Sequence, residues 1–283
     1  MTTPRLGKVV DNITDLISFI NDGDTLVVPA DYGGSPAEAA RALVRRGVRK
    51  LRLIGGPPSG YVADLLIGAG CVSYLEMPGV ILGDFGLAPR FRAWVSAGRL
   101  EIRDTTCPAF HTGIQAAQKG LPFMPMRGLI GSDILKNRPE WKVIQNPYEI
   151  GKDPIVLIPA LVPDVVLFHG MYGDRHGNVW VGKAQEVIGM AQSAKTVIAT
   201  FEHFFDGDLL EDKHLAPSTI SRLYMTASTE ARNGAWPVAF GMEYGFDAEH
   251  LTRYAQLAKT EEGFSQYLKE FIFSEVTGPE VLT

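Results

Sequence analysis

The sequence has few cysteines, and none of them are paired at a spacing typical of metal or redox chemistry. Its two cysteines, Cys71 and Cys107, belong to no Cys-x-x-Cys motif. This count excludes a disulfide scaffold and a cysteine-based zinc site, and it suits a reducing compartment. We therefore expect a cytoplasmic protein that needs no metal.

Long apolar runs are also absent. Residues 1–8 lack the apolar core of a signal peptide, and no uninterrupted apolar run approaches the roughly 18 residues of a membrane-spanning helix. We expect neither export nor a membrane partner.

Positive charge is not concentrated anywhere in the chain. There are 27 Lys and Arg residues against 32 Asp and Glu residues, the net charge is −5, and no basic run is longer than Arg45-Arg46. Because binding to a phosphate backbone needs a basic face, nucleic acid is not an expected partner.

The chain is rich in short apolar runs that alternate with amphipathic segments. It has 283 residues, of which 46% are hydrophobic, and this is enough for one large core. The alternation predicts an α/β fold. Internal repeats, low-complexity tracts and clear linkers are missing, so we expect residues 1–283 to form a single domain.

A glycine loop follows the first strong strand signal. After a β-branched run come Gly33 and Gly34, then Ser35 as the expected N-cap and Pro36 at the expected first helical position. Glycines allow a ligand close to the backbone, and free amides in a first helical turn attract an anion or a forming oxyanion. The alternative is a tight connection in an α/β sheet.

A second glycine-rich break occurs at residues 55–60, again after a predicted strand and before a predicted helix. It begins with Gly55 and Gly56. Two such breaks at one edge of a parallel sheet would face the same crevice, where open α/β folds usually bind ligands.

Cys107 and His111 are four residues apart, at the start of a helix predicted to begin at Pro108. They would share a helix face, and a helix N-terminus can lower a thiol pKa, so a nucleophile and base pair is one interpretation. The other is a small buried hydrophobic residue.

Residues 120–154 are rich in Pro, Gly and Asn and predict a long irregular excursion. Arg127 is its strong cation, and a guanidinium can clamp a carboxylate or a phosphate. A surface role is the alternative. Further on, His169, Asp174 and His176 match no zinc spacing, and residues 174–178 predict a tight turn.

Several stretches, taken in order, resemble the alpha (A) subunit of the class I coenzyme A transferases, of the glutaconate CoA-transferase type. They are residues 33–36, 64–70, 120–125, 131–134, 174–178 and 234–237. The resemblance implies a three-layer α/β/α fold with a mostly parallel sheet, coenzyme A as the substrate thioester, and an obligate beta subunit that completes the active site.

In that family a partner glutamate attacks the thioester, so one exchange is split into two reversible steps. The nucleophile lies in a Glu-Asn motif, and this chain contains no Glu-Asn dipeptide. The resemblance assigns oxyanion-stabilising backbone to Gly33 and Gly34. We expect substrate and CoA contacts at Ser35, Gly55, Gly56, Arg127, Ser132 and Asp133. Many family members have Phe where this chain has Ser35.

Other activities stay open at this point. The same fold hosts subunits of CoA-thioester hydrolases that open steroid rings and of glutaconyl-CoA decarboxylases. In the ring-opening members an acidic residue acts where this chain has Thr106-Cys107. Outside the family, a sugar-phosphate-binding or sensing domain and a purely structural partner protein remain alternatives.

Overall fold

The computed structural model describes residues 6–56 and 58–274, which form thirteen strands and nine α-helices. The strands are β1 Lys8–Val9, β2 Thr25–Val28, β3 Leu51–Gly55, β4 Val72–Glu76, β5 Glu101–Ile102, β6 Phe123–Met126, β7 Lys142–Gln145, β8 Pro154–Pro159, β9 Val165–Asp174, β10 Val179–Trp180, β11 Thr196–Phe205, β12 Thr219–Ile220 and β13 Ala227–Glu230. The helices are α1 Ile13–Ile17, α2 Ala37–Arg46, α3 Tyr61–Gly68, α4 Pro89–Ser96, α5 Cys107–Gln118, α6 Ile134–Asn137, α7 Gln185–Ser193, α8 Ala248–Leu257 and α9 Glu261–Tyr267.

The main sheet is built around parallel strands in the order β1-β13-β11-β9-β2-β3-β4-β5. Every neighbouring pair on this path is parallel, whereas β10 pairs antiparallel with β9 and with β12. The expected mostly parallel sheet is therefore confirmed.

Both faces of this sheet are covered. Successive residues of β2 enter different cores: Leu26 and Val28 pack with side chains of α1, α2, α3, α8 and α9, whereas Val27 packs with those of α5 and α7. Because residues alternate between the faces of a strand, one helix layer lies on each side. The three-layer α/β/α fold is confirmed.

The excursion is more regular than predicted. Strands β6, β8 and β7 form a separate antiparallel sheet in that order, and α6 lies between β6 and β7 in the sequence. The expectation of an irregular segment was wrong. All of β7 is exposed and β6 contains Pro125, so neither strand shows the apolar alternation that predicts a half-buried strand. Pro125 is tolerated because β6 is an edge strand.

The C-terminal helical region docks on the main core as its apolar stripe predicts. Phe264, Tyr267 and Phe271 are buried, and α9 continues into a π-helical turn over Leu268–Ile272. Strand β13 has no sequence signal because Ala227–Glu230 contains no large apolar residue. Within the described residues, no helix is long and apolar enough to cross a membrane.

Candidate active site

Between β2 and β9 the order in which successive strands are added to the main sheet reverses. From β2 the sheet continues through β3, β4 and β5, and from β9 it continues the opposite way through β11 and β13. Helix α2, after β2, packs on one face, whereas α7, which follows β9 and β10, packs on the other. Connections that leave neighbouring strands toward opposite faces open a crevice, and ligands of open α/β sheets bind at such switch points.

The glycine loop lies in this crevice and is fixed to β9 by its main chain. Residues Asp31–Gly33 form a single 3-10 turn, and Gly34 has a φ of 94°. The His169 N–H donates to the Gly34 carbonyl at 2.9 Å. A Cβ placed on Gly34 would lie 2.1 Å from the His169 carbonyl oxygen, so only glycine fits this position.

The start of α2 differs from the prediction. The helix begins at Ala37, its N-cap is Pro36, and the Ser35 side chain makes no capping hydrogen bond. The Ala37 N–H donates to the Ser35 carbonyl and the Glu38 N–H donates to the Gly234 carbonyl. Ser35 as N-cap and Pro36 as the first helical residue were therefore wrong predictions, because a carbonyl from a distant loop does the capping.

Ser35 has unused hydrogen-bonding capacity. The residue is 1% exposed, and its Oγ has no partner. Its N–H likewise donates to no acceptor within residues 6–56 and 58–274. By contrast, the Gly33 N–H donates to the Ala30 carbonyl inside the turn.

The second glycine loop lies directly beside the first, as predicted. Strands β2 and β3 are parallel neighbours, and the Asp31 N–H donates to the Pro58 carbonyl at 2.9 Å. The Gly60 N–H donates to Asp31 Oδ2 at 3.0 Å. Gly55 and Gly56 are buried. The two loops are thus joined by hydrogen bonds at one edge of the sheet.

Asp31 is a titratable group between these loops that the sequence interpretation did not single out. Burial raises its pKa from 3.8 to about 7, although the Gly60 N–H acts in the opposite direction. Its position in a glycine loop just after a buried strand was an available signal. The carboxyl group therefore changes its charge near neutral pH.

A buried polar network lies behind the glycine loop. Glu202 Oε1 is 2.8 Å from His169 Nε2 and 2.5 Å from the Tyr244 hydroxyl, and Thr200 Oγ1 lies 2.7 Å from His169 Nδ1. Burial lowers the pKa of His169 even though Glu202 opposes this. Burial disfavours charge on Glu202, but the hydrogen bonds from His169 and Tyr244 hold its pKa below the ordinary value.

This network positions the loop that caps α2. The Glu202 carboxylate accepts the N–H groups of Asn233 and Gly234, at 2.7 and 3.2 Å, and the Gly234 carbonyl accepts from Glu38. A Cβ on Gly234 would lie 2.4 Å from His169 Cε1. Glu202, which lies within β11, was not among the residues singled out from the sequence.

The residues of the excursion form a separate group. Arg127 makes a two-pronged ion pair with Asp153, at 3.2 and 2.6 Å, and it is exposed. The Ser132 hydroxyl donates to the Leu129 carbonyl, and exposed Asp133 pairs with Lys136. These partners all lie within residues 120–154, so the side-chain contacts of the three predicted residues do not connect them to the glycine loops.

The opposite wall of the crevice comes from α5 and α7. Cys107 and His111 are both in α5, as predicted, and Thr106 caps that helix by accepting the Ala109 N–H. Burial lowers the pKa of His111, and Glu186 of α7 opposes this shift. Glu186 reaches the glycine loop, since a Cβ on Gly33 would lie 2.7 Å from its Oε1.

Asp174 is occupied in a structural role. Its carboxylate accepts the N–H groups of His176, Asn178 and Leu209, as expected for a tight turn whose side chain bonds its own backbone. In the part of the chain that the structure describes, no group of three or more His, Cys, Asp and Glu side chains could hold a metal ion.

Comparison with known proteins now defines the class. A family model for coenzyme A transferase matches residues 10–221. The chain belongs to the coenzyme A transferase family.

The chain is similar to the A subunits of characterised enzymes. It is 28% identical to the A subunit of glutaconate CoA-transferase from Acidaminococcus fermentans, covering 95% of this chain and 88% of that one. It is 30% identical to the A subunit of 3-oxoadipate CoA-transferase from Pseudomonas knackmussii, covering 90% and 89%. It is also 28% identical to the cholesterol ring-cleaving hydrolase IpdA subunit of Rhodococcus jostii, covering 92% and 90%.

The chain spans about half the length of one relative. That relative is an uncharacterised protein of Archaeoglobus fulgidus, 33% identical, of which 51% is covered. The crystal structure of glutaconate CoA-transferase from Acidaminococcus fermentans superposes with a TM-score of 0.86 at 26% identity, covering 98% of this chain and 92% of that one. The decarboxylase AibA/AibB shares the fold, with a TM-score of 0.82 at 24% identity.

Proposed function

We propose that this chain is the alpha subunit of a two-subunit CoA-transferase that moves CoA between an acyl-CoA and a carboxylic acid. A beta subunit supplies the nucleophilic glutamate, and the active site lies between the two chains. The observation that carries the proposal is the Gly33-Gly34 loop, which is held against β9 at the switch point of the sheet.

The loop can stabilise the oxyanion of a tetrahedral intermediate. Gly34 has the positive φ that the loop requires, and the N–H groups of Gly34 and Ser35 donate to no acceptor among the described residues. A fixed amide donor aimed at a forming negative charge is worth about 3 kcal/mol in typical enzymes. In this proposal Gly33 and Gly34 shape the oxyanion site and Ser35 faces the thioester.

The remaining contacts serve substrate binding. Gly55 and Gly56 carry no side chain, so they allow CoA or the acyl group close to the backbone of the second loop. Arg127, with Ser132 and Asp133 near it in the sequence, binds CoA phosphate or a substrate carboxylate. For that purpose Arg127 exchanges Asp153 for the ligand, because the two are ion-paired in the free chain.

The test is co-expression with the product of the neighbouring gene, followed by an acyl-exchange assay. CoA should pass from an acyl-CoA to an added carboxylic acid only when both chains are present. Full exchange by this chain alone would overturn the shared active site. Thioester loss that does not depend on the added acid would overturn transfer in favour of hydrolysis, the activity named for the Rhodococcus jostii relative.

A further inference from the structure

Glu186 carries an acceptor that the structure does not use. It belongs to the first turn of α7, and its Oε1 is buried with no hydrogen-bond partner among the described residues. The same oxygen lies beside Gly33, at 2.7 Å from the position of a Cβ there. A buried carboxylate oxygen without a hydrogen bond is costly, so a ligand that donates to it would be stabilised there.

The surroundings of Glu186 are polar but hold no permanent cation. A cleft of about 240 Å³ between α5 and α7 begins at this residue. Its other lining side chains are those of His111, Ile114, Gln115, Gln118, Gln185 and Ile188. Burial lowers the pKa of His111 below its ordinary value, which disfavours the charged imidazolium, although Glu186 opposes this shift. Among the described residues that line the cleft, none is Lys or Arg.

The unpaired acceptor on Glu186 and the lack of Lys or Arg in the cleft together favour one class of acyl group. An acyl chain that ends in a carboxylate would bring a second negative charge to Glu186 with no countercharge in the cleft. A neutral donor, such as a hydroxyl or a carboxamide, would satisfy Oε1 and the glutamine amides together. In the proposed active site the thioester carbon lies at the glycine loop. The acyl group then extends into this cleft, because Glu186 lies beside Gly33 and also lines the cleft.

We propose that Glu186 is the residue that selects the acyl group, favouring acyl-CoAs with a neutral hydrogen-bond donor over those with a second carboxylate. The inference rests on the proposed function and deepens it by naming the substrate class. It assigns Glu186 to substrate recognition and leaves the attacking group on the partner.

The experiment compares three CoA esters with the complex of both subunits: 3-hydroxybutyryl-CoA, butyryl-CoA and succinyl-CoA. The native complex should show kcat/KM values that decrease in that order. Glu186→Gln removes the charge but keeps an acceptor, so the ratio of succinyl-CoA to 3-hydroxybutyryl-CoA should rise at least about tenfold, the factor for 1.4 kcal/mol.

The matched control is Glu249→Gln. Glu249 is likewise an acidic residue in a first helical turn, but it is exposed on α8. In Glu249→Gln the kcat/KM ratio of succinyl-CoA to 3-hydroxybutyryl-CoA should stay within about twofold of the native value, a change below about 0.5 kcal/mol. The thermal midpoint of each variant checks the fold.

If Glu186→Gln does not fold, Glu186→Asp replaces it. This variant keeps the charge but withdraws the oxygen by one methylene, so it should lose the preference for 3-hydroxybutyryl-CoA over butyryl-CoA. An unchanged ratio of succinyl-CoA to 3-hydroxybutyryl-CoA in folded Glu186→Gln, or an unchanged ratio of 3-hydroxybutyryl-CoA to butyryl-CoA in folded Glu186→Asp, would overturn the inference while the proposed function stands. Absence of turnover of every acyl-CoA by the native complex would overturn the proposed function and this inference with it.

Discussion

The glycine-loop edge of the main sheet and the small three-stranded sheet are held in opposite ways. At the edge, the two loops and β9 are joined through main-chain groups of Gly34, His169 and Pro58, and the polar network behind them is buried. In the small sheet, the polar contacts are exposed ion pairs such as the one between Arg127 and Asp153.

The two regions therefore differ in the substitutions that they tolerate. Main-chain contacts at van der Waals distance leave no space for a Cβ, and a buried acceptor cannot turn to water when its donor is removed. Exposed ion pairs are replaced by water and salt at little cost. We expect the effects of mutation to fall steeply from the first region to the second.

The largest effect is expected at Gly34. Gly34→Ala places a Cβ within 2.1 Å of the His169 carbonyl oxygen at a positive φ. We predict a fall in kcat of at least about 100-fold for the complex, together with a loss of about 3 kcal/mol in unfolding free energy. Steady-state kinetics and urea unfolding measure the two.

Gly47→Ala is the matched control for this change. Gly47 also has a positive φ, 76°, but no atom lies within 4 Å of its Cβ position. It should cost only about 1 kcal/mol of backbone strain and leave kcat unchanged. If the two variants behave alike, the close approach to β9 does not matter.

The next largest effect is expected in the buried polar network around Glu202. Glu202→Gln replaces a carboxylate that accepts from His169, Tyr244, Asn233 and Gly234 with an amide that has one acceptor oxygen. We predict a loss of about 2 kcal/mol in unfolding free energy for Glu202→Gln. Tyr244→Phe removes the donor to Glu202 and also the acceptor of the Ala235 N–H, so it should lose a similar amount, about 2 kcal/mol. Urea unfolding of both variants gives the comparison. A stability of Glu202→Gln equal to that of the native chain would refute the positioning role.

The raised pKa of Asp31, which lies between the two loops, predicts that the stability of the folded chain depends on pH. Its pKa is raised to about 7 in the folded chain, so its stabilising contribution is complete below the unfolded pKa of 3.8 and is lost as the pH rises toward 7. Asp31→Asn should therefore flatten the decrease of the thermal midpoint between about pH 4 and 7 and be relatively more stable at pH 8. Midpoints measured at a series of pH values give the difference curve. Parallel curves for the two proteins would contradict the shift.

The smallest effect on stability is expected at Arg127. Arg127→Ala removes an exposed ion pair, so the thermal midpoint should stay nearly constant while KM for the acyl-CoA rises if the guanidinium binds its phosphate or carboxylate. Arg232→Ala, which removes another exposed Arg paired with Glu230, should change neither quantity. An unchanged KM in Arg127→Ala would make Arg127 a surface residue.

The sequence predicts the edge better than the small sheet. Buried strands and the two glycine loops carry strong local signals, so the layers, the parallel sheet and the adjacency of the loops follow from patterns near residues 25–36 and 51–60. Strands β6 and β7 are exposed and carry no such period, and β13 lacks large side chains.

The candidate site, too, depends on contacts that no local sequence pattern predicts. The position of Gly34 is visible in the sequence, but the residues that fix it come from β9, β11 and the loop at residues 233–234. The cap of α2 by Gly234 overrode the local signal of Ser35 and Pro36. Contacts between distant segments decide these features, and no local pattern records them.

We propose that this chain provides main-chain donors while its partner brings the nucleophile. The intact mass of both subunits, measured after the complex is mixed with an acyl-CoA and quenched in acid, tests this division directly. We predict that the partner gains the mass of an acyl group or of CoA, while this 30.9 kDa chain keeps its mass. An adduct on this chain, at Cys107 or at any carboxylate, would contradict it.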